Sequence, residues 1–262
     1  MEFGLRDRVA VVLAASRGFG FAAAQALAKE KCRVAICSRS KSSIDNAGKK
    51  IKSETGVMVI AQSVNVQNKN ELAGFFHNVQ EKWGKIDILV SNAGGPPVKN
   101  FEDTIEEEWA EWFETTFMSV VRSIQLVLPQ MKLQKWGRII NIASITVKSP
   151  LSGLTYSNAL RLGVIGLAKS LANELGPFGI TVNNVAPGYH LTDGLERIIR
   201  KKIENGLQRD EIISQWTDAI PVRRLGAPED LAGLIAFLAS QQAGYINGAT
   251  IQVDGGMYSG SL

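Results

Sequence analysis

Three observations predict an α/β fold, a doubly wound parallel sheet of about seven strands with helices on both faces. Short β-branched runs alternate with longer helical stretches along the chain. The runs are mostly apolar throughout rather than at every second position, as strands covered on both faces are. The 262 residues, 45% apolar and 21% charged, contain no repeat, low-complexity tract or polar linker that would divide them. Alternation of this length builds βαβ units. A chain of this size buries roughly 70–75% of its unfolded surface, so stability requires neither disulfide nor metal. Residues 1–262 are read as one domain.

The strands expected are 9–13, 33–37, 57–63, 86–90, 138–143, 180–185 and 250–253. Helices are expected near 19–30, 41–54, 68–83, 104–133, 157–175 and 228–239. Thr104-x-x-Glu107 reads as a capping box opening the fourth helix, and Gly176-Pro177 stops the fifth. Residues 189–220 interrupt the alternation with extra helix, in which Leu195, Ile198, Ile199 and Ile203 form an apolar stripe. Loops beyond the carboxyl ends of such strands hold ligands, so this insertion is read as a lid over a substrate cleft.

Composition excludes several classes. Cys32 and Cys37, five apart in one apolar run, read as reduced core thiols rather than a disulfide framework. The run from Val9 to Ala15 is too short for a secretory core, and no stretch approaches the roughly 18 apolar residues of a membrane span. The expected location is cytoplasmic, without membrane contact. The net charge of +4 comes from dispersed residues, and the densest cluster, Arg200-Lys201-Lys202, is followed by Glu204, which argues against a nucleic-acid partner.

The turn after the first strand runs Ala14-Ala15-Ser16-Arg17-Gly18-Phe19-Gly20 and leads into a helix. Small residues there let the backbone approach a pyrophosphate, and the free N–H groups of the helix favour an anion. The second strand ends in Ser38-Arg39-Ser40, with no acidic residue to accept ribose hydroxyls. Arg39 and Arg17 instead offer cations to a 2′-phosphate. The expected coenzyme is NADP(H), with NAD(H) second.

These features, together with Ser91-Asn92-Ala93-Gly94, Ser144 thirteen residues before Ser157, Pro187-Gly188 and Asp254-Gly255-Gly256, resemble the short-chain dehydrogenase/reductase family over nearly the whole chain. The segment from Pro221 to Gly256 is similar to members that include 3-oxoacyl-carrier-protein reductases and sugar dehydrogenases. The resemblance implies a Rossmann-like domain, a nicotinamide coenzyme, a carbonyl or secondary-alcohol substrate and a homo-oligomer, usually a tetramer. It assigns Asn65 and Val66 to the adenine, Asn92, Ala93 and Gly94 to the adjoining ribose, Pro187 and Gly188 to the nicotinamide, and Thr192 to the carboxamide. Ala14 stands where the first glycine is usual.

The catalytic positions depart from that pattern. The family implies Asn, Ser, Tyr and Lys. Ser144 is in place, but the other three positions hold Thr116, Ser157 and Arg161. A proton donor must be a group such as a phenol, whose pKa near 10 a cation can lower; an aliphatic hydroxyl is too weak an acid. Tyr156 lies one residue early, and Tyr-x-x-x-Lys is absent. At about 100° per residue Ser157 and Arg161 share a helix face, whereas Tyr156 joins them only if it precedes the first turn. The resemblance implies that Ser144 binds the substrate oxygen and that Arg161 supplies the cation and holds the coenzyme ribose; by elimination Tyr156 supplies the proton, with its hydroxyl within reach of Ser144. Tyr189 and His190 are the further candidates. The alternative is a nucleotide-binding subunit of the same fold without the chemistry, acting as sensor or assembly partner.

Overall fold

The computed structural model describes residues 2–261. Seven parallel strands lie in the order β3-β2-β1-β4-β5-β6-β7: β1 Val9–Val12, β2 Arg33–Ser38, β3 Val59–Ser63, β4 Ile88–Ser91, β5 Gly137–Ile142, β6 Ile180–Pro187 and β7 Thr250–Val253. Alternate residues of one strand feed opposite layers. Ala10 and Val12 pack with α1 (Gly18–Lys29), α2 (Lys41–Thr55) and α9 (Pro228–Ala239), while Val9 and Val11 pack with α3 (Lys69–Trp83), α5 (Ser119–Gln134) and α6 (Thr155–Leu175). Both layers are apolar, which is why the strands carry no alternation. The order reverses between β1 and β4, which opens a crevice at the carboxyl edge.

Predicted element bounds hold to within one or two residues except in one place. The stretch 104–133 is not one regular helix. After a short turn at Phe101–Asp103, α4 spans Glu106–Phe113, a wide π turn spans Glu114–Met118, and α5 follows. The capping box does not form. Thr104 Oγ1 donates to the Phe101 carbonyl at 2.7 Å and accepts Trp109 Nε1 at 3.1 Å, so α4 starts at Ile105 without a side-chain cap.

The insertion forms α7 (Asp193–Glu204) and α8 (Arg209–Ala219), joined by Leu195, Ile199, Ile212 and Trp216 in a small core of their own. Its root is closed by a bridge between His190 and Gly226, with Leu191 N donating to Gly226 O at 2.8 Å and Gly226 N to Tyr189 O at 2.9 Å. Cys32 and Cys37 are buried and unpaired, and burial pushes both thiols up to about 12. Among the described residues no helix is long and apolar enough to cross a membrane.

Candidate active site

The turn between β1 and α1 is built for close approach. Ala14 and Gly18 adopt left-handed backbone, with φ of 47° and 57°. A Cβ on Gly20 would stand 2.6 Å from the Ala14 carbonyl oxygen and 2.9 Å from Asn92 Nδ2, so only glycine lets α1 start against β1 and β4. Asn92 Nδ2 donates to Ala14 O at 3.2 Å, which ties the β4 loop to the turn. No side chain caps the first N–H groups of α1, so they remain available to an oxyanion.

This turn opens onto a cleft of about 770 Å³ along the carboxyl edge of the sheet. One end is lined by Arg39, Ser40, Asn65 and Val66, the middle by Ser16, Arg17, Gly18, Phe19, Asn92, Ala93 and Gly94, and the other end by Ser144, Ser157, Arg161, Pro187, Gly188 and Thr192. The residues assigned to a dinucleotide from sequence thus line one and the same cleft. Two are already engaged within the chain. Arg17 Nη1 pairs with Asp193 Oδ2 at 2.6 Å, and Thr192 Oγ1 caps α7 by accepting Leu195 N at 3.3 Å. Arg39 stands exposed on the lining. Open helix N–H groups, a turn without obstructing side chains and a cation where β2 ends fit a phosphorylated dinucleotide.

The catalytic expectations need one correction. Tyr156 does not face the cleft. It is fully buried, its hydroxyl donates to Glu108 Oε2 at 2.6 Å, and Trp109 packs edge-on against its ring at 4.6 Å between centroids. Helix α6 begins at Thr155, so Tyr156 is already helical and is rotated about 100° from Ser157 toward α4. Glu108 is closed by Lys99 Nζ at 2.7 and 2.8 Å. Lys99 and then Tyr156 hold this carboxyl below its usual range, while burial and then Glu108 push the Tyr156 phenol up. A phenol held that way is a structural strut.

Ser157 and Arg161 share the cleft-facing side, as the four-residue spacing requires. Ser157 Oγ lies 3.2 Å from Thr146 Oγ1. Arg161 Nη1 donates to the carbonyls of Ile142 and Ala143, both at 3.0 Å, so this guanidinium closes the frayed end of β5, and burial pushes it down to about 10. Ser144 Oγ accepts Thr146 N at 3.2 Å, which fixes the hydroxyl at the cleft wall. Thr116, in the π turn, is buried with Oγ1 unpartnered among the described residues, beside Ser91, Asn141 and Arg161.

Of the further candidates, Tyr189 lines the cleft and stacks on Trp216 at 4.5 Å, with its phenol raised by burial. His190 is buried, its Nδ1 lies 3.2 Å from Gly188 O, and the rest of its ring abuts Gly226 and the Phe19 ring. Burial lowers its pKa, and it lines the cleft with Nε2 buried and unpartnered among the described residues. The substrate end also gathers residues that motif reading did not single out: Pro96, Pro97, Val98, Trp112, Leu151 and Leu154. No chemical motif marks them, because an apolar wall needs only bulk.

The turn, the cleft and the crevice at the reversal of strand order define an α/β protein of the dinucleotide-binding class. The chain belongs to the short-chain dehydrogenase/reductase family: residues 13–258 match the family described as enoyl-(acyl carrier protein) reductase. It is 38% identical over 253 residues to the 3-oxoacyl-[acyl-carrier-protein] reductase FabG of Staphylococcus epidermidis, covering 96% of this chain and 99% of that protein. It is 34% identical to nodulation protein G of Azospirillum brasilense, over 97% of this chain and 99% of that one. The structure of L-sorbose reductase from Gluconobacter frateurii, complexed with NADPH and L-sorbose, superposes with a TM-score of 0.92 at 30% identity, covering 98% of each chain. Actinorhodin polyketide ketoreductase with NADPH also gives 0.92 at 30% identity, over 96% of this chain and 97% of that one.

Proposed function

We propose that the protein is an NADP(H)-dependent oxidoreductase that interconverts a carbonyl compound and its secondary alcohol. The observation that carries this reading is the single cleft that joins the open turn at Gly18, the cation at Arg39 and the hydroxyl of Ser144. The reductase relatives, two of them solved with NADPH, support it. When bound, the coenzyme supplies or accepts the hydride. The chain supplies the rest. The α1 N-terminus and the Ser16–Gly20 turn hold the pyrophosphate, Arg39 pairs with the 2′-phosphate, and NAD(H) fits less well for want of an acidic partner. Ser144 donates to the carbonyl oxygen. Arg161 fixes the β5 end that carries Ser144 and adds positive charge at the reacting end. The proton at the substrate oxygen is assigned to Tyr189, the phenol on the cleft lining.

The same reading places the protein in the cytoplasm as a homo-oligomer, a tetramer in the family's usual manner. Phe113 at 41% exposure and Leu162 at 53%, beside Gly163 and Gly166 of α6, supply an apolar face for a second copy. Sedimentation as a monomer at micromolar concentration would remove this part of the proposal.

A second reading is favoured by one observation, that Tyr156 braces α4 and Arg161 caps β5 rather than forming a family-type dyad. In that reading the chain binds the coenzyme and turns nothing over. One experiment separates the two: titrate NADPH by its fluorescence, then follow its oxidation across a panel of ketones and oxo acids. Binding with turnover, reduced about a hundredfold in Tyr189→Phe, supports the reductase. Binding without turnover on any substrate supports the second reading. Absence of NADPH binding rejects both.

A further inference from the structure

Resting on the reductase reading, and deepening it, we infer that the substrate carries an oxyanion remote from its carbonyl, and that Arg197 and Arg200 of α7 hold it. Asp193, Glu196, Arg197 and Arg200 recur at helical intervals of three and four, so they form one stripe, and all four line the cleft. The two acids on this stripe are neutralised by residues outside it. Asp193 pairs with Arg17 at 2.6 Å. Glu196 is gripped through both oxygens by Arg209 of α8, at 2.8 and 2.6 Å. Glu196 would be the natural partner of Arg200, four residues on, but Arg209 occupies both its oxygens.

Two cations therefore remain on the stripe without a carboxylate in ion-pair contact among the described residues, Arg200 acting on the already gripped Glu196 only through space. Arg197 Nη1 donates to the Gly95 carbonyl at 3.2 Å, which spans the cleft from α7 to the β4 loop and leaves its other donors open. Arg200, one turn away, makes no ion pair, and the neighbouring guanidiniums repel each other. The remaining carboxylate on the lining is Glu111. Its backbone is tied by Gln67 to the loop after β3, and so it belongs to the opposite, adenine half. The same lining carries Pro96, Pro97, Leu151 and Leu154, which suit an apolar spacer. The site thus reads a carbonyl at one end, an apolar segment, and a carboxylate or phosphate at the other. Two guanidiniums, with forked donors, bind either oxyanion.

The test compares charged probes with neutral twins in the protein saturated with NADP+, where a carbonyl probe binds but no hydride moves. Levulinate is titrated against methyl levulinate, and acetoacetyl phosphopantetheine against acetoacetyl pantetheine. The expected result is at least about tenfold tighter binding of one charged member. Arg197→Gln/Arg200→Gln should abolish that preference while NADP+ affinity stays unchanged. Preference for levulinate identifies a free oxo acid, and preference confined to the phosphate pair identifies a phosphopantetheine thioester. Equal affinity within both pairs, or a preference that survives in the double variant, overturns the inference. Because the readout is probe binding, it is independent of the turnover assay that tests the reductase reading.

Discussion

The Tyr156 hydroxyl and Glu108 Oε2 stand 2.6 Å apart, and through this bond α6 is braced against α4 on the side away from the cleft. Tyr156→Phe removes the bond and leaves the partly exposed Glu108 carboxylate to Lys99 alone. The melting midpoint should fall by about 2–4 °C, and turnover per folded molecule should stay within a few-fold of wild type. A hundredfold loss of turnover with unchanged melting would restore Tyr156 as proton donor.

Arg39 should decide the coenzyme. Arg17 is held by Asp193, so on the proposed reading the 2′-phosphate contact should fall to Arg39. Arg39→Asp should weaken NADPH binding by more than about tenfold and spare NADH, because a charge-assisted contact is worth about 1.5–3 kcal/mol. Arg17→Ala should cost less. Equal loss for both coenzymes in Arg39→Asp would reject the assignment.

Ala14 carries backbone strain. Its φ of 47° is left-handed, where a Cβ costs about 1–2 kcal/mol. Replacement by glycine relieves this but adds freedom to the unfolded chain, which returns about 0.4–1 kcal/mol. Ala14→Gly should therefore stabilise by about 0.5–1 kcal/mol in denaturant titration. NADPH affinity should hold within a few-fold, since the turn offers backbone rather than side chain. A destabilised variant would show the strain to be absent.

Asp230 links stability to acid. Arg224 and then the Ala227 N–H hold its carboxyl down at about 2, and through it the start of α9. Because the folded pKa lies below the unfolded one, the stabilisation is present above about pH 4 and disappears as pH falls toward 2. Asp230→Asn should melt lower than wild type at neutral pH, and the gap should close through that window. A gap constant from pH 7 to 2 would contradict the assignment.

The sheet was legible because a strand covered on both faces is mostly apolar, as Val9–Val12 and Ile88–Val90 are. The tight turn after β1 was legible because close backbone approach demands small residues, and a Cβ on Gly20 would meet the Ala14 carbonyl. Two things were hidden. The Thr104 hydroxyl was drawn into a turn by the Trp109 indole, a tertiary preference that no local capping rule contains. The direction of Tyr156 depended on a two-residue difference in where α6 begins, and on a carboxylate 48 positions away. Element ends are weakly specified by local sequence, and side-chain direction rotates with each residue of that uncertainty.

The bridge between His190 and Gly226 makes the intervening segment a detachable cassette. Its two ends are hydrogen-bonded to each other, and α7 and α8 bury their apolar residues mainly against one another. Closing such a stem with a few residues costs little loop entropy, because the ends are already adjacent. Different helical hairpins grafted between Gly194 and Ala219 would leave Thr192, the Arg17–Asp193 pair and the Val222–Gly255 hydrogen bond in place. Substrate choice can in this way change by exchange of a surface module, while the coenzyme wall beneath it stays as it is.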